Sequence, residues 1–269
     1  MIQAPPLQAG DRVGITCPAG AIPIEKVQNI IKRLESWGYQ VVVGETVGQE
    51  HFYFSAPDTV RKNELQSMMD DPTIKAIICA RGGYGVSRIV YDLDFSKIKQ
   101  HPKWIVGFSD ITVLHAAMLK NGLVSVHGSM AAAFNKEEKG EPFVKSLQAI
   151  LEGKENNIEC ATHALNHNGI VTAPLVGGNL CLIAHLIGSP LQIDTKGKIL
   201  FIEDIGETHY NVDRMLIQLK QAGMFHEVAG VIVGGFTDMK DKEDNFLGIS
   251  TNDLIHFHLS NLQVPIVYG

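Results

Sequence analysis

A chain of 269 residues with 45% hydrophobic content is long enough to bury two modest cores. Its formal charge of −6, with 23 basic residues that form no run, offers no electrostatic footprint for nucleic acid. No apolar run is long enough to span a bilayer, and residues 1–7 lack the basic and apolar regions of a secretory signal, so a cytoplasmic location away from membranes is expected. Four widely spaced cysteines, Cys17, Cys79, Cys160 and Cys181, show no C-x-x-C spacing and read as structural thiols of a reducing compartment.

Taken in chain order, residues 12–17 read as a strand ending in Pro18, Ala19 and Gly20, and residues 24–37 as a helix stopped by Gly38. A strand at 39–43 follows, then an aromatic connecting stretch, residues 51–56, that either lines a cleft or covers a sheet edge. A helix near 59–69, a strand at 74–80, a helix at about 87–93 and a strand at 104–106 continue the alternation, followed by a helix at 111–119. Strands and helices that alternate at this length predict a parallel sheet with right-handed crossovers. The polar, turn-rich residues 156–170 read as a linker between an N-terminal domain, 1–155, and a C-terminal domain, 171–269. In the second half, residues 177–179 open a helix, 198–202 form a strand, 212–221 a helix, 228–233 a buried strand, 254–259 a helix and 264–268 a last strand. The expected class is therefore α/β, a parallel-sheet N-terminal domain with a smaller mixed α/β C-terminal domain.

Three strand ends carry the chemistry. Trp104, Ile105 and Val106 run into Gly107, Phe108, Ser109 and Asp110 and then into a helix, which places Ser109 at a strand-to-helix corner. A serine there either presents its hydroxyl beside helix N–H groups that stabilise an oxyanion, or simply caps the helix. Ile111 stands where a full G-x-S-x-G motif has its second glycine. The strand at 74–80 empties into Arg81, Gly82, Gly83, Tyr84 and Gly85, whose glycines let N–H groups approach a ligand. The strand at 198–202 ends in Glu203 and Asp204. Ligands of parallel sheets sit outside the carboxyl ends of the strands, where all three features fall.

These segments, with His127 and Gly128, residues 177–180, Tyr210 and residues 213–216, resemble the LD-carboxypeptidases of murein recycling and the related microcin-immunity serine peptidases, in the family's order. The resemblance implies Ser109 as nucleophile, Glu203 as triad acid, and an active site in the cleft between the two domains. It implies as substrate a murein tetrapeptide that loses its terminal D-alanine from an L-configured centre. Backbone N–H groups of Asp110 and Gly83 would form the oxyanion hole, with Gly82 and Tyr84 in the substrate site. Arg81 either binds the substrate's terminal carboxylate or makes a strand-end salt bridge. No cofactor is expected. A homodimer is compatible with the sequence, which leaves the oligomeric state open.

The family's third triad member, a histidine, follows a glycine just after the strand that here reads 264–268, so it is expected beyond Gly269, about four residues on, and the 269-residue form is expected to be inactive or nearly so. Among the histidines present, His127 at a strand end is the best internal substitute. His115 packs or caps, His163 and His167 sit in the linker, His185 reads as a core histidine, and His256 and His258 as partly exposed structural residues. These last two, spaced two apart, would suit a metal on a strand but lack a third ligand, so no metal is expected. A microcin-type amidase needing an aromatic platform, and a two-domain small-ligand binder without chemistry, are the alternatives.

Overall fold

A computed structural model describes residues 1–241 and 247–269. In chain order its elements are β1 (Arg12–Thr16), α1 (Gln28–Ser36), β2 (Gln40–Val43), α2 (Asp58–Asp70), β3 (Ile74–Cys79), α3 (Ser96–Gln100), β4 (Trp104–Gly107), α4 (Thr112–Lys120), β5 (Val126–His127), α5 (Ala131–Phe134), α6 (Glu141–Leu151), β6 (Leu175–Asn179), α7 (Leu180–His185), β7 (Ile199–Ile205), α8 (His209–Gln221), β8 (Gly230–Thr237), α9 (Thr251–Leu259) and β9 (Ile266–Tyr268). The chain divides into two compact units, Met1–Asn157 and Ile158–Gly269.

The first unit is a five-stranded sheet in the order β2-β1-β3-β4-β5, and every pairing is parallel. Its central strands are apolar on both faces because helices cover both: Val13, Ile15, Ile77, Ile78, Ile105 and Val106 are fully buried. The second unit is a four-stranded sheet in the order β6-β7-β8-β9, also wholly parallel. Among the described residues, no helix is long and apolar enough to cross a membrane.

Four expectations are corrected. Residues 87–93 are not an α-helix but two 3₁₀ turns, Val86–Arg88 and Val90–Asp92. The β-branched residues Val86, Ile89 and Val90 disfavour an α-helix, and the Val86 N–H is held by the Asp110 carboxylate. Residues 177–179 belong to β6; the helix begins only at Leu180, where the Asn179 side chain caps it by accepting from the Leu182 N–H. Gly177 can be strand because it is glycine: φ is +126°, and a Cβ would stand 1.9 Å from the Phe201 oxygen. His185 is exposed rather than core, since it ends α7 on the face turned from Ile183 and Ala184. From Ile158 onward the polar stretch belongs to the second unit, where the His167 and Ile266 backbones bond reciprocally and Asn166 Oδ1 accepts from the Tyr268 N–H.

Candidate active site

Ser109 leaves the carboxyl end of β4 with φ +60°, in the left-handed region that costs a non-glycine residue about 1–2 kcal/mol. Gly107 makes the turn possible, because a Cβ there would meet the Ile111 side chain at 2.8 Å. Ser109 is half-buried and opens a 3₁₀ turn, Ser109–Ile111, that runs into α4. Neither that turn nor α4 has a side-chain cap, so the capping role is not what the serine performs.

The glycine-rich loop lies directly against this turn. A Cβ on Gly82 would stand 3.1 Å from the Phe108 carbonyl oxygen, 3.1 Å from Ser109 Cβ and 3.3 Å from the Asp110 nitrogen. Gly83 has φ +97° and packs against the Tyr53 hydroxyl, which a Cβ would meet at 2.5 Å. Asp110 is buried, and its Oδ2 accepts from the Val86 N–H at 2.8 Å, tying the far end of the loop to the serine turn.

Arg81 is exposed, and its guanidinium donates to the Ala21 carbonyl. Among the described residues it makes no salt bridge. It lines a cavity of about 440 Å³ together with Phe52, Tyr53, Glu25 and Glu50. Within the aromatic stretch 51–56, Phe52 and Tyr53 thus line a recess. Tyr84, half exposed, rests its ring on Phe54 with centroids 5.8 Å apart.

The thiols beside this site are inert. Burial pushes the Cys17 thiol up to about 12 and raises Cys79 further, so neither supplies a thiolate. The histidines are no better placed as bases. His115 is buried, and because a carbonyl only accepts, its Nε2 carries the hydrogen donated to the Gly107 oxygen at 2.8 Å, leaving Nδ1 to accept from Ser125 Oγ at 2.9 Å. It thereby braces the strand end that presents Ser109, a role the sequence did not reveal. His127, paired with Gly107 at the end of β5, is pushed down to about 3, first by burial and then by the neighbouring His115. An imidazole so reluctant to take a proton is a poor general base at neutral pH. His258, buried rather than partly exposed, bonds Asp213 at 2.7 Å between α9 and α8. His256 and His258 both lie on α9, where residues two apart point in opposed directions.

Glu203, in the second unit, lies on β7 where the ladder to β8 slips: Ile202 faces Val233, but Asp204 faces Phe236. The extra residue is on β8, where Gly234 and Gly235 stand opposite Glu203. Gly234 permits it, since a Cβ there would meet the Phe201 ring at 2.7 Å and Glu203 Cβ at 3.4 Å. Burial, and then the charge of Asp204, hold the Glu203 carboxyl up at about 7, opposed by a bond from Asn179. Asp204 has a different occupation. It is buried and accepts from Asn179 Nδ2 at 2.8 Å, the Cys181 N–H at 2.9 Å and the Ile205 N–H at 2.8 Å. It is therefore committed to joining β7 to the start of α7, and burial raises its carboxyl as well.

Parallel α/β units whose polar candidates all stand at the carboxyl ends of strands define the class of this chain. The chain belongs to the LD-carboxypeptidase family: residues 13–128 match its N-terminal domain and residues 172–269 its C-terminal domain. It is 39% identical over 234 residues to a probable murein peptide carboxypeptidase of Bacillus subtilis (strain 168), covering 86% of this chain and 73% of that one. It matches the crystal structure of muramoyltetrapeptide carboxypeptidase from Oxalobacter formigenes with a TM-score of 0.86 and 32% identity, over 96% of this chain and 87% of the other. The microcin C7 self-immunity protein MccF, solved with aspartyl sulfamoyl adenosine, matches with a TM-score of 0.85 over 100% of this chain and 90% of the other; at 24% identity that likeness is one of fold. Family membership makes the protein a peptidase-type hydrolase.

Proposed function

We propose that this protein removes the C-terminal D-alanine from murein tetrapeptides in the cytoplasm by acyl transfer through Ser109. The observation that carries the reading is the left-handed Ser109 turn with Gly82 packed against it. Strain of this kind persists where it holds a group in place for chemistry. Ser109 Oγ attacks the carbonyl of the last peptide bond and forms an acyl-enzyme, releasing D-alanine; water then frees the tripeptide. The backbone N–H groups of Asp110 and Gly83 receive the oxyanion, an interaction worth roughly 3 kcal/mol per donor. Arg81, with no carboxylate partner among the described residues, binds the terminal carboxylate, and Gly82 and Tyr84 contribute to the substrate site. Glu203 orients a histidine base and stabilises its charged form. His115 and His127 suit that task poorly, since burial disfavours their protonated forms.

The rival reading, an amidase acting on an aminoacyl-sulfamoyl nucleoside, draws on the fold likeness to MccF. Trp104 is buried and Trp37 packs on Tyr39 and Phe134, so neither tryptophan offers a platform for a base. Phe52 and Tyr53 are the exposed rings beside Arg81. The deciding experiment offers the full chain a murein tetrapeptide and an aspartyl-sulfamoyl nucleoside side by side. Release of D-alanine that disappears in Ser109→Ala supports the proposal; cleavage of the nucleoside compound alone overturns it.

A further inference from the structure

Arg61 is fully buried, far from where a charged side chain ordinarily sits. A buried guanidinium must satisfy its N–H groups, and this one does so on three separate loops. Nε donates to the Ala56 carbonyl at 3.0 Å, and Nη1 donates to the Pro18 carbonyl and, at 3.1 Å, to the Gly85 carbonyl. Nη2 pairs with Asp58, and the Phe54 ring lies 4.8 Å from the guanidinium carbon.

The Gly85 carbonyl and the Val86 N–H belong to one peptide group. That N–H donates to Asp110 Oδ2 at 2.8 Å. A single peptide group is thus gripped at its oxygen by a buried cation and at its hydrogen by the carboxylate that follows Ser109 in sequence. Gly85 has to be glycine for this, since its φ is +144° and a Cβ would stand 2.8 Å from Arg61 Nη1. The other end of the loop is fixed by the Gly82 carbonyl, which accepts from the Gly20 N–H at 3.0 Å.

We propose that Arg61 is a positioning residue: through the Gly85–Val86 peptide it holds the glycine loop in register with the Ser109 turn, and so sets where the loop's N–H groups stand relative to the reacting carbonyl. The inference rests on the reading of Ser109 as nucleophile and of the loop as oxyanion donor. A displacement of about 1 Å in such a donor costs on the order of a hundredfold in rate.

The test is Arg61→Lys in the full chain. Lysine keeps the charge but gathers its donors at one nitrogen, which cannot reach Ala56, Pro18 and Gly85 together. Counted per site titrated with a fluorophosphonate, kcat for D-alanine release is expected to fall about ten- to a hundredfold while KM changes by less than about threefold. A role confined to stability would lower the melting temperature and the titratable fraction but leave kcat per titrated site at the wild-type value; that result overturns the proposal. Asp58→Asn, which leaves the guanidinium in place and removes its counter-ion, is expected to lower kcat by about threefold or more, and carries the test if the lysine variant does not fold. Wild-type kcat in Asp58→Asn would then overturn it. Ser109→Ala separates the two levels: activity in that variant defeats the nucleophile assignment, whereas an inactive Ser109→Ala beside a fully active Arg61→Lys defeats only the positioning role.

Discussion

Replacing Glu203 by glutamine is expected to make the fold more stable at neutral and alkaline pH. Burial and the Asp204 charge carry the Glu203 carboxyl from its ordinary 4.5 to about 7. The folded state therefore favours the protonated form. Stability from this group is fully present below pH 4.5 and is lost as pH rises through 7, because over that interval the unfolded chain ionises while the folded chain does not. The loss amounts to ~3 kcal/mol when complete. Glutamine has nearly the same shape and does not ionise, so the variant avoids the loss. Urea unfolding of the 269-residue chain, followed by circular dichroism at pH 4, 6 and 8, reads this without any need for turnover. Wild type and variant should unfold together near pH 4 and separate above it, the variant leading by up to ~3 kcal/mol at pH 8. Curves that stay parallel across the range, or a wild type that gains on the variant as pH rises, would refute the claim that desolvation governs this carboxyl. In the D-alanine-release assay the same change should lower kcat with little effect on KM.

The neighbouring change has the opposite sign: Asp204→Asn should destabilise the second unit by about 2 kcal/mol or more, because an amide cannot accept from Asn179, Cys181 and Ile205 together, and equal melting temperatures would contradict this. Ser109→Ala should abolish D-alanine release with the fold kept. Ser109→Gly should be inactive too, but more stable than the alanine variant by about 1 kcal/mol, since glycine adopts φ +60° freely; equal denaturant midpoints for the two would count against backbone strain at the turn. Gly82→Ala should slow fluorophosphonate labelling of Ser109 by about ten- to a hundredfold, as its Cβ presses on the backbone of Phe108 and Asp110, and labelling at the wild-type rate would show that the loop need not lie so close.

Much of the first unit was legible in the sequence because its strands are apolar runs that end in turn residues. The order of Trp104 to Gly107 before Ser109 announced a strand-to-helix corner, and the structure has one. Elements whose signal is shape rather than hydrophobicity were not legible. β6 reads Leu-Val-Gly-Gly-Asn, and its two glycines suggest a turn until the Phe201 backbone is seen where a side chain on Gly177 would be. Helices α3, α5 and α6 went unread, the first two because five and four residues are too few to show a period. The roles of Arg61 and His115 were invisible for another reason. Each bonds to backbone carbonyls, a partner that carries no residue identity for a pattern to reveal. The occupation of Asp204 likewise rests on the Asn179 side chain and the Cys181 and Ile205 backbone N–H groups, which period-two alternation does not encode.

The strand orders bear on how the chain reaches its native state. Parallel neighbours need a long crossover before their first ladder bond can form. β1 pairs on one side with β2, with Arg12 opposite Gln40, and on the other with β3, with Val13 opposite Ala76, so the centre of the first sheet waits for more than one distant segment. In the second unit each strand lies beside its predecessor, and the sheet can grow by one strand at a time. Nascent chain emerging from a ribosome would meet these demands in sequence: the serine, the glycine loop and the buried arginine all fall within the first 109 positions, and every strand of their sheet has been synthesised before β6 begins. The half that carries Ser109 is thereby equipped to assemble on its own schedule, ahead of the half that carries Glu203.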